Sequence, residues 1–177
     1  QSEPADQAGK YRLVRSSLNL GDVWSLPVVE ISKPDVQSDA VLVIADDGRG
    51  SMADGITDLL STAGRVYVAD LAMQGECRPV GTPVHQFSMM FSTVGSRILG
   101  VQAAQLAATA SWVSKQAGCS SVRIVASGPV SSVVALCAVG CSSVELKSLT
   151  LTDSFVSLKQ LTEEAMKYDD FSSLFCF

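Results

Sequence analysis

The sequence predicts an α/β protein, a three-layer α/β/α sandwich built on a mostly parallel central sheet. Three observations carry this. Ala40–Ala45 (AVLVIA) and residues 65–71 (RVYVADL) are short, β-branched apolar runs of the kind buried on both faces of a parallel sheet. Stretches with helical spacing alternate with such runs, as in parallel sheets with crossover helices. Residues 121–138 (SSVRIVASGPVSSVVALCA) read as a strand, a turn of small residues at Ser127, Gly128 and Pro129, and an apolar helix.

Residues 1–10 are polar and read as a flexible tail, with residues 11–177 as a single domain. Residues 11–17 and 23–32 are rich in β-formers and make an antiparallel pair at one edge, with 18–22 as the turn. Pro34 opens a loop over 33–39. The AVLVIA strand runs into a D-D-G-R-G turn at 46–50. Residues 51–63 read as a helix: Ser51 caps it, Ile56, Leu59 and Leu60 share a face, and Gly64 ends it.

Residues 72–91 form a long connection punctuated by Gly75, Pro79, Gly81 and Pro83, a length usually associated with function or flexibility. Residues 92–118 contain a long helix with Ile98, Leu106 and Val113 on its apolar side, stopped by Gly118. After residues 121–138, a further strand over 144–151 ends at Thr152 and Asp153. A helix over 154–168 and an apolar end from Phe171 to Phe177 (FSSLFCF) follow.

With 47% hydrophobic and 18% charged residues, the 177-residue chain can bury a substantial core. No apolar run reaches the ~18 residues of a membrane span. A net charge of −5 argues against nucleic acid or an anionic membrane as partner. The five cysteines are odd in number and lack a C-x-x-C, so small buried residues are expected rather than disulfides or a zinc site. The D-D-G-R-G turn is not a phosphate loop, and no cofactor or metal is expected. His85 is the only histidine, which limits imidazole chemistry to one residue. Residue 1 is Gln, so a processed or trimmed chain is expected and the compartment is not readable.

Three stretches share a pattern. Residues 95–113 (GSRILGVQAAQLAATASWV) carry Gly95 and Gly100 with the spacing of a G-x-x-x-x-G-x-R-x-x-D helix, with Gln102 and Gln105 in the Arg and Asp places. Residues 69–77 (ADLAMQGEC) are similar to a D-x-R-G-x-G-E segment through Asp70, Gly75 and Glu76. The third is the D-D-G-R-G turn at 46–50. On these residues the chain resembles the α/β-hydrolase superfamily, in its acetyl xylan esterase-like branch, which implies that this turn, with Asp47 and Gly48, is the oxyanion-hole loop. The resemblance implies a sheet incomplete on its C-terminal side.

The strand–turn–helix at 121–138 then corresponds to the family's G-x-S-x-G nucleophile elbow. Aligning S-S-V-V-A-L on the family's G-G-x-x-A-L helix places Pro129 at the nucleophile position, and a shift of register offers Ser127 instead. The family's late histidine has no counterpart, which leaves His85 as candidate base and Asp153 as candidate orienting acid or helix N-cap. Asp46, Asp47 and Asp70 all follow strands and read as turn formers rather than metal ligands, with Asp70 steadying its loop through backbone N–H groups.

Three functions are in play. The first is a non-catalytic α/β-hydrolase-like domain in binding or assembly. The second is an esterase acting through Ser127. The third is a small-molecule binding module above Gly48 and Gly128. A homo-oligomer or partner domain is expected to cover the sheet edge and the apolar end from Phe171 to Phe177.

Overall fold

The structure, a computed structural model, describes residues 6–34, 39–81, 83–141, 145–163 and 174. The strands are β1 (Asp6–Ala8), β2 (Tyr11–Leu20), β3 (Trp24–Ser32), β4 (Ala40–Ala45), β5 (Arg65–Ala69), β6 (Val122–Ser127) and β7 (Leu146–Thr152). They form one sheet in the order β1-β2-β3-β5-β4-β6-β7. β5, β4, β6 and β7 pair in parallel, and β3 joins them antiparallel through β5. The helices are α1 (Ala53–Thr62), α2 (Val84–Thr93), α3 (Ile98–Ala117), α4 (Pro129–Cys141) and α5 (Gln160–Glu163). Among the described residues no helix is long and apolar enough to cross a membrane.

The continuous apolar run of β4 has its reason in this layering. All six residues of β4 are buried, because α1 packs on one face and α3 and α4 on the other. β6 is different. Val122, Ile124 and Ala126 are buried against α3 and α4, while Arg123, Val125 and Ser127 are only half-buried. On that face the cluster under α1 is built on β4 and β5 and takes in only Val125 from β6. β7 (LKSLTLT) continues the trend, with Leu149 and Leu151 on the core side and Ser148, Thr150 and Thr152 exposed. This alternation matches a strand wetted on one face. No other described strand pairs with the outer edge of β7.

The chain departs from the sequence reading in four places. Asp6–Ala8, within the stretch read as a tail, adds an antiparallel strand to β2. Backbone pairing does not depend on apolar side chains, so polarity hid it. Ser51 does not cap α1: its Oγ donates to Gly48 O at 2.8 Å inside a 3-10 turn over Arg49–Met52, and Met52 holds the cap position. Within the connection over 72–91, α2 forms after Pro83. Its Ser88 is buried and its Phe91 stacks on Trp24 at 6.0 Å between ring centroids.

The helix expected over 154–168 is observed only as α5, and residues 164–168 lie outside the described part. Gln160 Oε1 accepts from Val156 N and Ser157 N, and this loop delays the helix. Asp153 therefore caps no helix. Of the apolar end from Phe171 to Phe177, only Leu174 is described, and it packs against the larger core cluster.

Tyr67 lies at the centre of that cluster, with no exposed surface and its ring edge-on to Trp112. Burial, reinforced by the Glu30 carboxylate and opposed by Arg65, pushes its phenol up from 10.0 to about 12. A group whose pKa is raised on folding contributes stability that is complete below the unfolded value and is lost as pH climbs through the folded one. Stability is therefore expected to fall by roughly 2–3 kcal/mol between pH 10 and 12 from this group. Urea unfolding of wild type and Tyr67→Phe across that range checks it: equal slopes would sink the assignment.

Candidate functional site

The chain leaves β4 to reach β5 on one side and then returns to β6 on the other. Such a reversal opens a crevice at the carboxyl ends of the strands, where open α/β sheets take ligands. A cleft of about 510 Å³ lies there. Its wall includes Asp46 and Asp47 after β4, Ser127 and Gly128 at the end of β6, Pro129 and Val130 opening α4, and Asp153 after β7.

Asp46 organises the elbow. Its Oδ2 accepts from Val130 N at 3.0 Å and its Oδ1 from Ser131 N at 2.6 Å. A helix leaves its first N–H groups without intrahelical partners, and a negative charge there is stabilised by the dipole. Gly128 stands before α4 and has no side chain to cap it, so an acceptor must come from elsewhere. The turn is tight because Gly128, at φ 99°, passes so close that a Cβ there would lie 2.4 Å from Asp46 Cγ. Pro129 suits the first helical position, where its missing N–H costs nothing. The bend is thus at Gly128, one residue before Pro129, the residue that alignment on the helix placed at the nucleophile position.

A second device fixes the other wall. Asp70, 1% exposed, accepts from Arg49 N at 2.7 Å, Arg49 Nε at 3.0 Å and Glu76 N at 3.0 Å. Arg49 also pairs with Glu76. Gly48 and Gly75 cross beneath this clamp. A Cβ on Gly48 would fall 2.2 Å from Gly75 Cα. Asp70 thus ties the loop after β4 to the loop after β5 through backbone N–H groups, the role its position implied. Burial, with the Asp70 charge adding to it, raises the pKa of the neighbouring Cys77 thiol, whose Sγ donates to Asp70 O.

α3 sets the floor. Gln102 donates from Nε2 to Ala72 O at 2.6 Å, and Gln105 Oε1 accepts from Ala72 N at 2.9 Å. The two amides hold Ala72 by both its backbone polar groups, which belong to consecutive peptide units. Beside them Gln74 donates from Nε2 to Ser131 Oγ at 2.9 Å.

Four of the six sequence candidates meet at the cleft: Ser127, Pro129, Asp47 and Asp153. Asp153 adopts φ 53°, an uncommon conformation for a residue with a side chain. Gly48 turns away beneath the Asp70 clamp and is not part of the cleft wall. His85 lies in the first turn of α2, and its neighbour Val84, not His85, contributes to the wall. Among the described residues no group of His, Cys, Asp and Glu has the arrangement of a metal site. The sequence reading missed Asp46 as the cap of α4, and Gln74 and Arg78 as cleft residues. The signal for the first was legible: a Pro-initiated helix preceded by Gly needs an outside acceptor.

Solved structures share this architecture. An acetyl xylan esterase from Paenibacillus sp. R4 superposes with a TM-score of 0.74 at 12% identity, covering 95% of this chain and 58% of its own. A cold-adapted esterase from an Arctic intertidal metagenomic library gives 0.62 at 18% identity, covering 83% and 62%. The 2-hydroxy-6-oxo-6-phenylhexa-2,4-dienoate hydrolase from Rhodococcus sp. strain RHA1 gives 0.51 at 20% identity, covering 80% and 46%. The chain thus spans between 46% and 62% of the length of these three proteins. No family model matches the chain. No curated protein matches it. At these identities the likeness establishes an α/β-hydrolase-like fold.

Proposed function

We propose that the chain is a non-catalytic α/β-hydrolase-like domain, with the cleft at the ends of β4 and β6 serving as a binding site. One observation carries this. An esterase elbow needs a nucleophile at the bend and a free backbone N–H on the residue after it, aimed at the developing oxyanion. Here each register lacks one or both. With Ser127 as nucleophile, the next amide, Gly128 N, already donates to Thr152 O at 2.9 Å. With Gly128, at the bend itself, there is no nucleophilic atom, and the next residue is Pro129, which has no N–H. With Pro129 the nucleophile is again absent, and Val130 N donates to Asp46.

The rival reading is an esterase in which Ser127 attacks the ester with His85 as base and Asp153 as orienting acid. The esterases and hydrolase that share the fold favour it, and Ser127 does line the cleft. The cost of the rearrangement weighs against it, since freeing Gly128 N breaks the backbone link between the elbow and the end of β7. Incubation with p-nitrophenyl acetate separates the two. Release of p-nitrophenol by the wild type and by Ser127→Ala is expected to match the buffer rate. Turnover by the wild type that Ser127→Ala abolishes would overturn the non-catalytic reading.

We also infer that the β7 edge, with which no described strand pairs, docks further protein, since an unpaired strand edge is a template for another chain. Its wet face, with Ser148, Thr150 and Thr152, fits a polar partner rather than an apolar helix.

A further inference from the structure

We propose that the cleft takes an organic cation, a ligand that brings ammonium N–H groups on a short aliphatic body. The inference rests on the binding role proposed above for the same cleft and adds the class of ligand.

The backbone donors of the turn into α4 are taken. Gly128 N donates to Thr152 O, and Val130 N and Ser131 N donate to Asp46. Each side-chain amide beside it also turns its NH2 to a protein acceptor. Gln102 directs Nε2 to the Ala72 carbonyl, which can only accept, so Oε1 must be its other atom. Gln74 directs Nε2 to Ser131 Oγ. Both residues belong to the cleft wall, and they are 1% and 2% exposed. The Oε1 of each is buried with no hydrogen-bond partner among the described residues. A buried acceptor without a partner costs about 1–3 kcal/mol, and a native site that keeps two of them calls for an explanation. A ligand with N–H groups supplies both missing partners.

Charge selects among such ligands. Asp46, Asp47 and Asp153 face the cleft against the single guanidinium of Arg78. Asp46 is engaged with two amides, but the exposed carboxylates of Asp47 and Asp153 stand on the lips after β4 and β7. A negatively lined concave site concentrates cations and repels anions. Met52, Met73 and Val84 add apolar wall for an aliphatic body, thioethers being adaptable in shape. An acyl carboxylate or a phosphate would meet acceptors and like charge in the same place.

The test uses the whole chain and three ligands of one skeleton: putrescine, 1,4-butanediol and succinate. Each is titrated by calorimetry, and the side-chain amide signals of Gln74 and Gln102 are followed by NMR. Putrescine is expected to bind about tenfold or more tightly than the diol, shifting both amide signals, and succinate not at all. Asp47→Asn combined with Asp153→Asn is expected to weaken putrescine by about tenfold and remove most of its salt dependence. Both side chains are exposed and asparagine tolerates positive φ, so the variant keeps the fold. Succinate or the diol binding as well as putrescine would overturn the proposal. So would silence of both amides at millimolar putrescine, or an unchanged affinity in the double variant. Ester turnover in the previous section fails the non-catalytic reading alone, whereas these outcomes fail only the ligand class.

Discussion

Asp46→Ala is expected to lower the unfolding free energy by about 3 kcal/mol, the larger of the single side-chain effects in the elbow. The carboxylate makes two charge-assisted bonds to the first amides of α4, and Val130 and Ser131 are buried. Removing it strands two N–H groups that water cannot readily reach, beside a glycine that offers no substitute cap. A chain of this size loses roughly 2–4 °C in Tm per kcal/mol, so a fall of about 6–12 °C follows. Asp46→Asn keeps one acceptor oxygen and turns an amide NH2 toward the second N–H. It should therefore lie between wild type and alanine. Thermal and urea unfolding followed by circular dichroism measure both. An alanine variant as stable as wild type would show that Asp46 does not hold the elbow.

The second large effect concerns Gly48. Alanine there places Cβ 2.2 Å from Gly75 Cα and 2.8 Å from Gly75 N, at a residue whose φ is already 80°. The obstructing atoms are backbone, so no rotamer change relieves them. The loops after β4 and β5 must part, which pulls Arg49 N and Glu76 N off the buried Asp70 carboxylate. A loss of about 3–5 kcal/mol is expected, enough to leave much of the protein unfolded at 37 °C. Gly100→Ala is the control. It lies exposed inside α3 with nothing within 4 Å of the added carbon, and should gain about 0.5–1 kcal/mol. The two substitutions add the same methyl group and should move Tm in opposite directions. A Gly48→Ala variant that unfolds with wild-type parameters would remove the crossed-loop clamp from the account.

Much of this was legible in the residues. The AVLVIA and RVYVA runs announced central strands because burial on both faces leaves no polar position to alternate with. Gly118, at φ 65°, ended α3 as its place in the sequence implied, since a helix C-terminus often closes with a left-handed residue. Asp70 was placed correctly as a holder of loop amides. Ser51, by contrast, was assigned a cap it does not make, because a 3-10 turn brings Gly48 O within reach of its hydroxyl first. α2 was hidden by the glycines and prolines around it. It is held by a stack on Trp24, 67 residues earlier than Phe91, a contact no local pattern encodes.

By itself, then, the sequence determined the layer order of the sheet and its helices, because periodicity and punctuation act over a few residues and those are fixed along the chain. It also determined that Pro129 brings no N–H to the turn, wherever the bend falls. What only the tertiary structure decided is where the bend lies and what the remaining donors do. Asp46 and Ser131 are 85 residues apart, and Gly128 and Thr152 lie on different strands' ends. Their hydrogen bonds exist because the parallel pairing of β4, β6 and β7 brings three carboxyl ends to one cleft. Only that convergence shows that Gly128 N, Val130 N and Ser131 N are already bonded.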